Sequence, residues 1–183
     1  MGASTSVVCG NLESIVYARL EPRADLYQEL RRVCKENGIK TGVVLTITGG
    51  LESARLQLLT TSQVKTGTPE IVELTGPFEV SGHGLIGQFR QGDSGGIFQG
   101  EEAGSPYLHV HLTLTVGSGQ AVKTYCGHLV EGCIVRSHHA ISHFTVVLAK
   151  ASGVQLDLVA DRKAARPGYS DGLRYHELTA TAG

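Results

Sequence analysis

From His109 to Val116 the chain alternates His, Val, His, Leu, Thr, Leu, Thr, Val, its cleanest period of two. An extended strand with one buried and one polar face keeps such a pattern, because successive side chains leave opposite sides of the backbone. Val110, Leu112 and Leu114 therefore face a core, and His109 and His111 share the other face. Gly117-Ser118-Gly119 turns this strand back into a second extended run at Ala121–Cys126. The segment belongs in a sheet, and the sheet needs something to cover.

Residues 25–38 supply that cover. Leu26, Leu30, Val33 and Cys34 fall at i, i+4, i+7 and i+8, one face of a helix. Asp25 caps its start with Gln28 at the third helical position, and Asn37-Gly38 provides a left-handed stop. The other runs are extended. Gly42–Thr48 is β-branched and broken by Gly49-Gly50, after which Ala54–Leu59 resumes. Ile71–Leu74 and Glu79–Phe89 follow, and Ile141–Ala149 with Val154–Val159 form a last pair across Ser152-Gly153. One helix among strands that do not alternate with helices predicts an α+β fold: a largely antiparallel or mixed β-sheet packed with one main helix.

The 183 residues are 41% apolar, enough for one domain with a sizeable core. Sixteen Lys and Arg against seventeen Asp and Glu leave a net charge of −1, which excludes a uniformly basic nucleic-acid binder. DNA contacts would rest on a local set such as Arg162, Lys163 and Arg166. The longest apolar stretches fall far short of the ~20 residues of a spanning helix, so no membrane segment is expected. Met1–Gly10 has neither a basic segment nor an apolar core, so a cytoplasmic location is expected. There Cys9, Cys34, Cys126 and Cys133 would stay reduced.

Six of the eight histidines lie between His109 and His143. His109 and His111 share a strand face, and His128 on the returning strand is the candidate third ligand of a metal site. A four-residue loop, Gly117–Gln120, puts His109 opposite His128. A three-residue loop packs the apolar face better but turns His128 away, unless Gly127 bulges. Three histidines with a water would make an open, catalytic-type zinc site; a merely solvated strand face carries the same pattern. His138, His139, His143 and His83 are weaker candidates. Glycines 82, 84 and 87 spell G-x-G-x-x-G, but no helix follows, so a dinucleotide site fails on context. A Cys–His nucleophile built from Cys126 or Cys133 with His128 competes with the commoner inert cysteine. Glu79, among apolar neighbours, is a candidate acid or base, or a surface carboxylate.

Tyr107–Leu112, the glycine turn, and then Gly127-His128-Leu129-Val130-Glu131-Gly132-Cys133-Ile134-Val135 resemble the PPC domain (plants and prokaryotes conserved domain). Asn37-Gly38-Ile39, Thr48-Gly49-Gly50 and Gly76-Pro77-Phe78-Glu79-Val80 agree with it in order. The resemblance spans a PPC-like domain (15–160) after a lead-in (1–14) and makes residues 91–106 an insertion, which their five glycines already mark as a loop. The polar composition of residues 161–183, with Pro167-Gly168, reads as a C-terminal tail, loose or draped over a neighbour. The resemblance implies a homotrimer and, as prokaryotic members are commonly labelled, DNA binding. The plant AT-hook is absent, since the only Arg-Pro is Arg166-Pro167 after Ala164-Ala165. The domain is also similar to the acetolactate decarboxylase fold, whose His-x-His pair and later His hold zinc; His109, His111 and His128 match those positions. The chain departs from the family pattern at Cys126, where a glycine is usual, at Gln57, where an arginine is expected, and across Arg136–Ser142. Two functions follow as expectations. One is a trimeric DNA-binding or regulatory protein with a three-histidine metal or ligand site. The other is a zinc-dependent, decarboxylase- or lyase-like enzyme on a small carbonyl or carboxylate substrate, with Glu79 as acid or base.

Overall fold

Asp25 sits in extended backbone and its carboxylate accepts the Gln28 amide N–H at 3.0 Å, which starts the single helix, α1 (Leu26–Glu36). The computed structural model describes residues 6–59, 70–92, 100–118, 121–136, 143–161 and 173–181. Around α1 run β1 (Asn11–Arg19), β2 (Gly42–Leu58), β3 (Glu70–Phe89), β4 (Pro106–Ser118), β5 (Ala121–Leu129), β6 (Ile134–Val135), β7 (Thr145–Ser152), β8 (Val154–Asp161) and β9 (Leu173–Ala180). They form one sheet in the order β1-β7-β2-β5-β4-β3-β8-β9, with β6 beside β2. A further β2–β3 pairing closes β2, β5, β4 and β3 into a ring. Of the described pairings β3 with β8 is parallel and the others are antiparallel, so the α+β expectation holds.

The inside of the ring is apolar. Val110, Leu112 and Leu114 of β4 are fully buried in one cluster with Leu26, Leu30, Val33 and Cys34 of α1. Each such aliphatic side chain contributes roughly 1.5–3 kcal/mol by leaving water. A second, small cluster of Phe89, Tyr107 and Leu158 lies where β8 joins the sheet. There β8 passes so close to β3 that a Cβ on Gly87 would lie 2.5 Å from the Leu156 carbonyl oxygen. Gly87 therefore serves a close backbone approach, not a phosphate loop.

Several sequence expectations change. Gly49-Gly50 does not end a strand: β2 runs through it, with register shifts at Val44/Ile47 and Leu51/Ser53 absorbing the irregularity. The two runs at residues 71–74 and 79–89 are one strand, β3. β7 and β8 are not a pair: β7 lies between β1 and β2, and β8 between β3 and β9. Four consecutive buried residues, Val146–Ala149, mark β7 as an interior strand. The segment expected as a polar tail contains β9, hydrogen-bonded along β8 from Val154↔Ala180 to Asp161↔Leu173. Of the expected inserted loop, residues 93–99 lie outside the described residues. Its far end is tied to the helix, because Glu101 accepts two hydrogen bonds from Arg31, at 2.7 and 2.5 Å.

Candidate metal centre

The β4–β5 ladder continues to Ser118↔Ala121, so Gly117 and Ser118, expected in the loop, are part of the strand pairing. Gly127 pairs regularly with Leu112, without the bulge considered above. His128 consequently stands opposite His111, not His109. Relative to the four-residue expectation the register moves by two, an even step that keeps every side chain on its face. All three histidines thus share the outer side of the ring.

Their ligand nitrogens converge. One ring nitrogen from each of His109, His111 and His128 lies within 4.8 Å of the other two. His109 Nε2 and His111 Nε2 are 3.3 Å apart. That separation matches the edge of a zinc tetrahedron, about 3.4 Å when Zn–N bonds are ~2.0–2.1 Å. Gln57 of β2 pairs with His128 on its other side, so Gln57, His128, His111 and His83 form a row across four strands. The Gln57 Oε1 atom is buried and has no hydrogen-bond partner among the described residues. An unmatched acceptor beside the cluster suits a water or hydroxyl donor held there.

Burial sets the charge state of the ligands. It pushes the His128 imidazole down to about 4, helped by the neighbouring His109 and His111. It also lowers His109, with His176 and His111 adding like-charge repulsion. Both rings are therefore neutral near pH 7, the form that offers a lone pair to a metal.

Other candidates fall elsewhere. His83 is exposed on β3 opposite His111, outside the three-nitrogen group. Glu79 is exposed and pairs with Thr115, four residues along β4 from His111, about 13 Å at strand spacing. It does not join the cluster. His143 is exposed, and His138 and His139 lie outside the described residues, as do Arg162, Lys163 and Arg166. All four cysteines are free. Burial pushes the Cys133 thiol up to about 11, and its Sγ is engaged with the Arg55 backbone, so it is an inert core residue. No helix among the described residues is long and apolar enough to cross a membrane.

One residue at the centre was not anticipated. His176 of β9 places Nε2 3.3 Å from His109 Nδ1 and 3.0 Å from the Tyr107 hydroxyl. The available signal was faint: a run of ten residues, Leu173–Ala182, between Gly172 and Gly183, free of glycine and proline and containing Tyr175 and Thr179.

A four-strand ring with its core inside and a histidine face outside defines a small domain that carries a metal-competent cluster on its sheet. The match to known families is direct. Residues 8–141 fit the Plants and Prokaryotes Conserved (PCC) domain, and the chain belongs to that family. Its fold is similar to that of a metal-containing protein from Archaeoglobus fulgidus (19% identity, 92% of this chain and 96% of that chain, TM-score 0.66). It also resembles a plant- and prokaryote-conserved (PPC) protein from Pyrococcus horikoshii (18% identity, 92% and 96%, TM-score 0.63). A candidate DNA-binding protein from Bacteroides thetaiotaomicron aligns equally well in shape (14% identity, 92% and 96%, TM-score 0.63). Among curated proteins, the bifunctional protein GlmU of a Synechococcus strain is 29% identical over 119 residues, 64% of this chain. The chain spans only 14% of that relative's length.

Proposed function

We propose that this PCC-domain protein holds a divalent metal ion, zinc by the chemistry of its donors, through His109, His111 and His128. The convergence of three imidazole nitrogens within 4.8 Å on the face shared by β4 and β5 carries the reading. Three nitrogen ligands leave one tetrahedral position open, which distinguishes a ligand-binding or catalytic site from a closed structural one. When bound there, zinc supplies Lewis acidity for a small carbonyl or carboxylate oxygen. The strands hold the three nitrogens, burial keeps His109 and His128 unprotonated, and Gln57 offers an acceptor beside them. The Archaeoglobus relative's description as metal-containing supports the same reading. Metal-free protein titrated with zinc in a calorimeter should bind one ion per chain at pH 7. Heat from non-stoichiometric weak binding alone would contradict it.

A second reading concerns assembly and DNA. The family resemblance implies a homotrimer, and the Bacteroides relative's DNA-binding label supports association with DNA. With a net charge of −1 any such association rests on a few phosphate contacts and weakens steeply with salt. Light scattering should return three times the 19.4 kDa chain mass; a monomer mass at micromolar concentration overturns the trimer.

A further inference from the structure

We propose that His176 is the positioning residue of this centre: it accepts the Nδ1 proton of His109 and so aims His109 Nε2 at the metal. The inference rests on the three-histidine reading above and adds a residue from outside the matched family segment, which ends at residue 141. A neutral imidazole carries one proton, so a ring that gives the lone pair of one nitrogen to a metal must carry the proton on the other. For His109 the two sides are already distinct. Nε2 faces His111 Nε2 at 3.3 Å, and Nδ1 faces His176 Nε2 at 3.3 Å. His176 therefore stands behind the ligand ring, on the side away from the shared nitrogens. That position also explains why it is not a fourth member of the group whose ligand atoms lie mutually within 4.8 Å.

The Tyr107 hydroxyl lies 3.0 Å from the same His176 nitrogen, whose single lone pair takes one proton, so when His109 donates from Nδ1 the tyrosine borders the pair rather than donating to it. Tyr107 is buried against Phe89 and Leu158, so the apolar cluster beneath β8 fixes the height at which β9 presents His176. The chain of causes runs from Gly87, which lets β8 approach, through the β8–β9 ladder at Leu158↔His176, to the tautomer of a ligand 67 residues away. Partners of this kind, which orient a ligating histidine through its second nitrogen, typically contribute 10–100-fold to metal affinity.

Zinc affinity of the full chain, measured by competition with a chromophoric chelator, tests this, with cobalt(II) absorption reporting the ligand set. His176→Ala should weaken zinc 10–100-fold. His176→Gln, whose amide oxygen can still accept the proton, should restore most of that loss. Both variants should keep the cobalt band pattern of the unchanged protein, because no ligand is lost. Unaltered affinity in His176→Ala, or a Gln variant as weak as the Ala variant, overturns the positioning role while leaving the three-histidine site intact. A changed cobalt spectrum overturns it in favour of His176 as a ligand. Absence of zinc uptake by the unsubstituted protein removes the site itself, and this role with it.

Discussion

His128→Ala should abolish stoichiometric zinc binding, a loss larger than the 10–100-fold expected for residues that act behind the ligands. His128 sits between Gln57 on β2 and His111 on β4, so its removal opens the middle of the ligand row. The fold should survive. Leu129 and Leu112 carry the inner face and are untouched, whereas His128 projects outward. The same variant should also alter the acid response of the metal-free protein. With a folded value of about 4 and an unfolded one near 6.5, His128 takes up a proton first in the unfolded chain as pH falls. The contribution of this ring to stability is then lost between roughly pH 6.5 and 4, by up to about 3 kcal/mol, and changes no further below that range. His128→Ala should reduce that slope in denaturant melts taken across the window. An unchanged slope, or undiminished zinc binding, would contradict the environment described for this ring.

Gly84→Ala should be the most damaging single methyl in the domain's site region. Gly84 pairs with Val110 on β4, and an added Cβ would lie 2.3 Å from the His109 carbonyl oxygen and 2.6 Å from the Val110 Cα. Both atoms are backbone in the middle of a ladder, so the strands must part rather than a side chain rotate. Overpacking of that kind costs about 3 kcal/mol or more, roughly 6–12 °C in Tm for a domain of this size. The separation falls directly under His109, so zinc affinity should drop together with stability. Gly50→Ala is the control: its nearest neighbours would be 3.4 Å away, ordinary contact, and its cost should stay near or below about 1 kcal/mol. Equal melting temperatures for the two variants would show that β3 and β4 are not packed as described.

What the sequence could reveal here divides along the range of the forces involved. The helix was legible because a 3.6-residue apolar repeat and an Asp25 cap are local, and the structure starts α1 at Leu26 with that cap in place. The β4 face was legible for the same reason: alternation sent Leu112 inward and His111 outward without reference to any partner. The register of β4 on β5 was not, because it depends on whether the turn residues extend the ladder or leave it. The ladder extends to Ser118 and Ala121, and His128 moved from His109 to His111. The cluster survived that error only because the step was even.

Closure of the ring and the arrival of His176 were beyond local pattern altogether. The β2–β5 contact joins Gln57 to His128 across 71 positions, and nothing in the neighbourhood of either residue encodes it. Leu173–Ala180 looks polar because its partners are β8 on one edge and a histidine on one face, neither of which demands an apolar repeat. The glycines at 82, 84 and 87 carried a motif's spacing but a different cause, since close strand approach needs the missing Cβ as much as a phosphate does.

The most direct test of the metal centre is anomalous diffraction from crystals of metal-free protein soaked in zinc, recorded on both sides of the zinc edge. The three-histidine account predicts one strong peak per chain on the outer face of β4 and β5, bonded to one nitrogen each of His109, His111 and His128 at ~2.0–2.1 Å. His176 should remain on the far side of the His109 ring, outside bonding distance. A map with no peak at that face, or with its strongest peak elsewhere on the chain, would contradict the account.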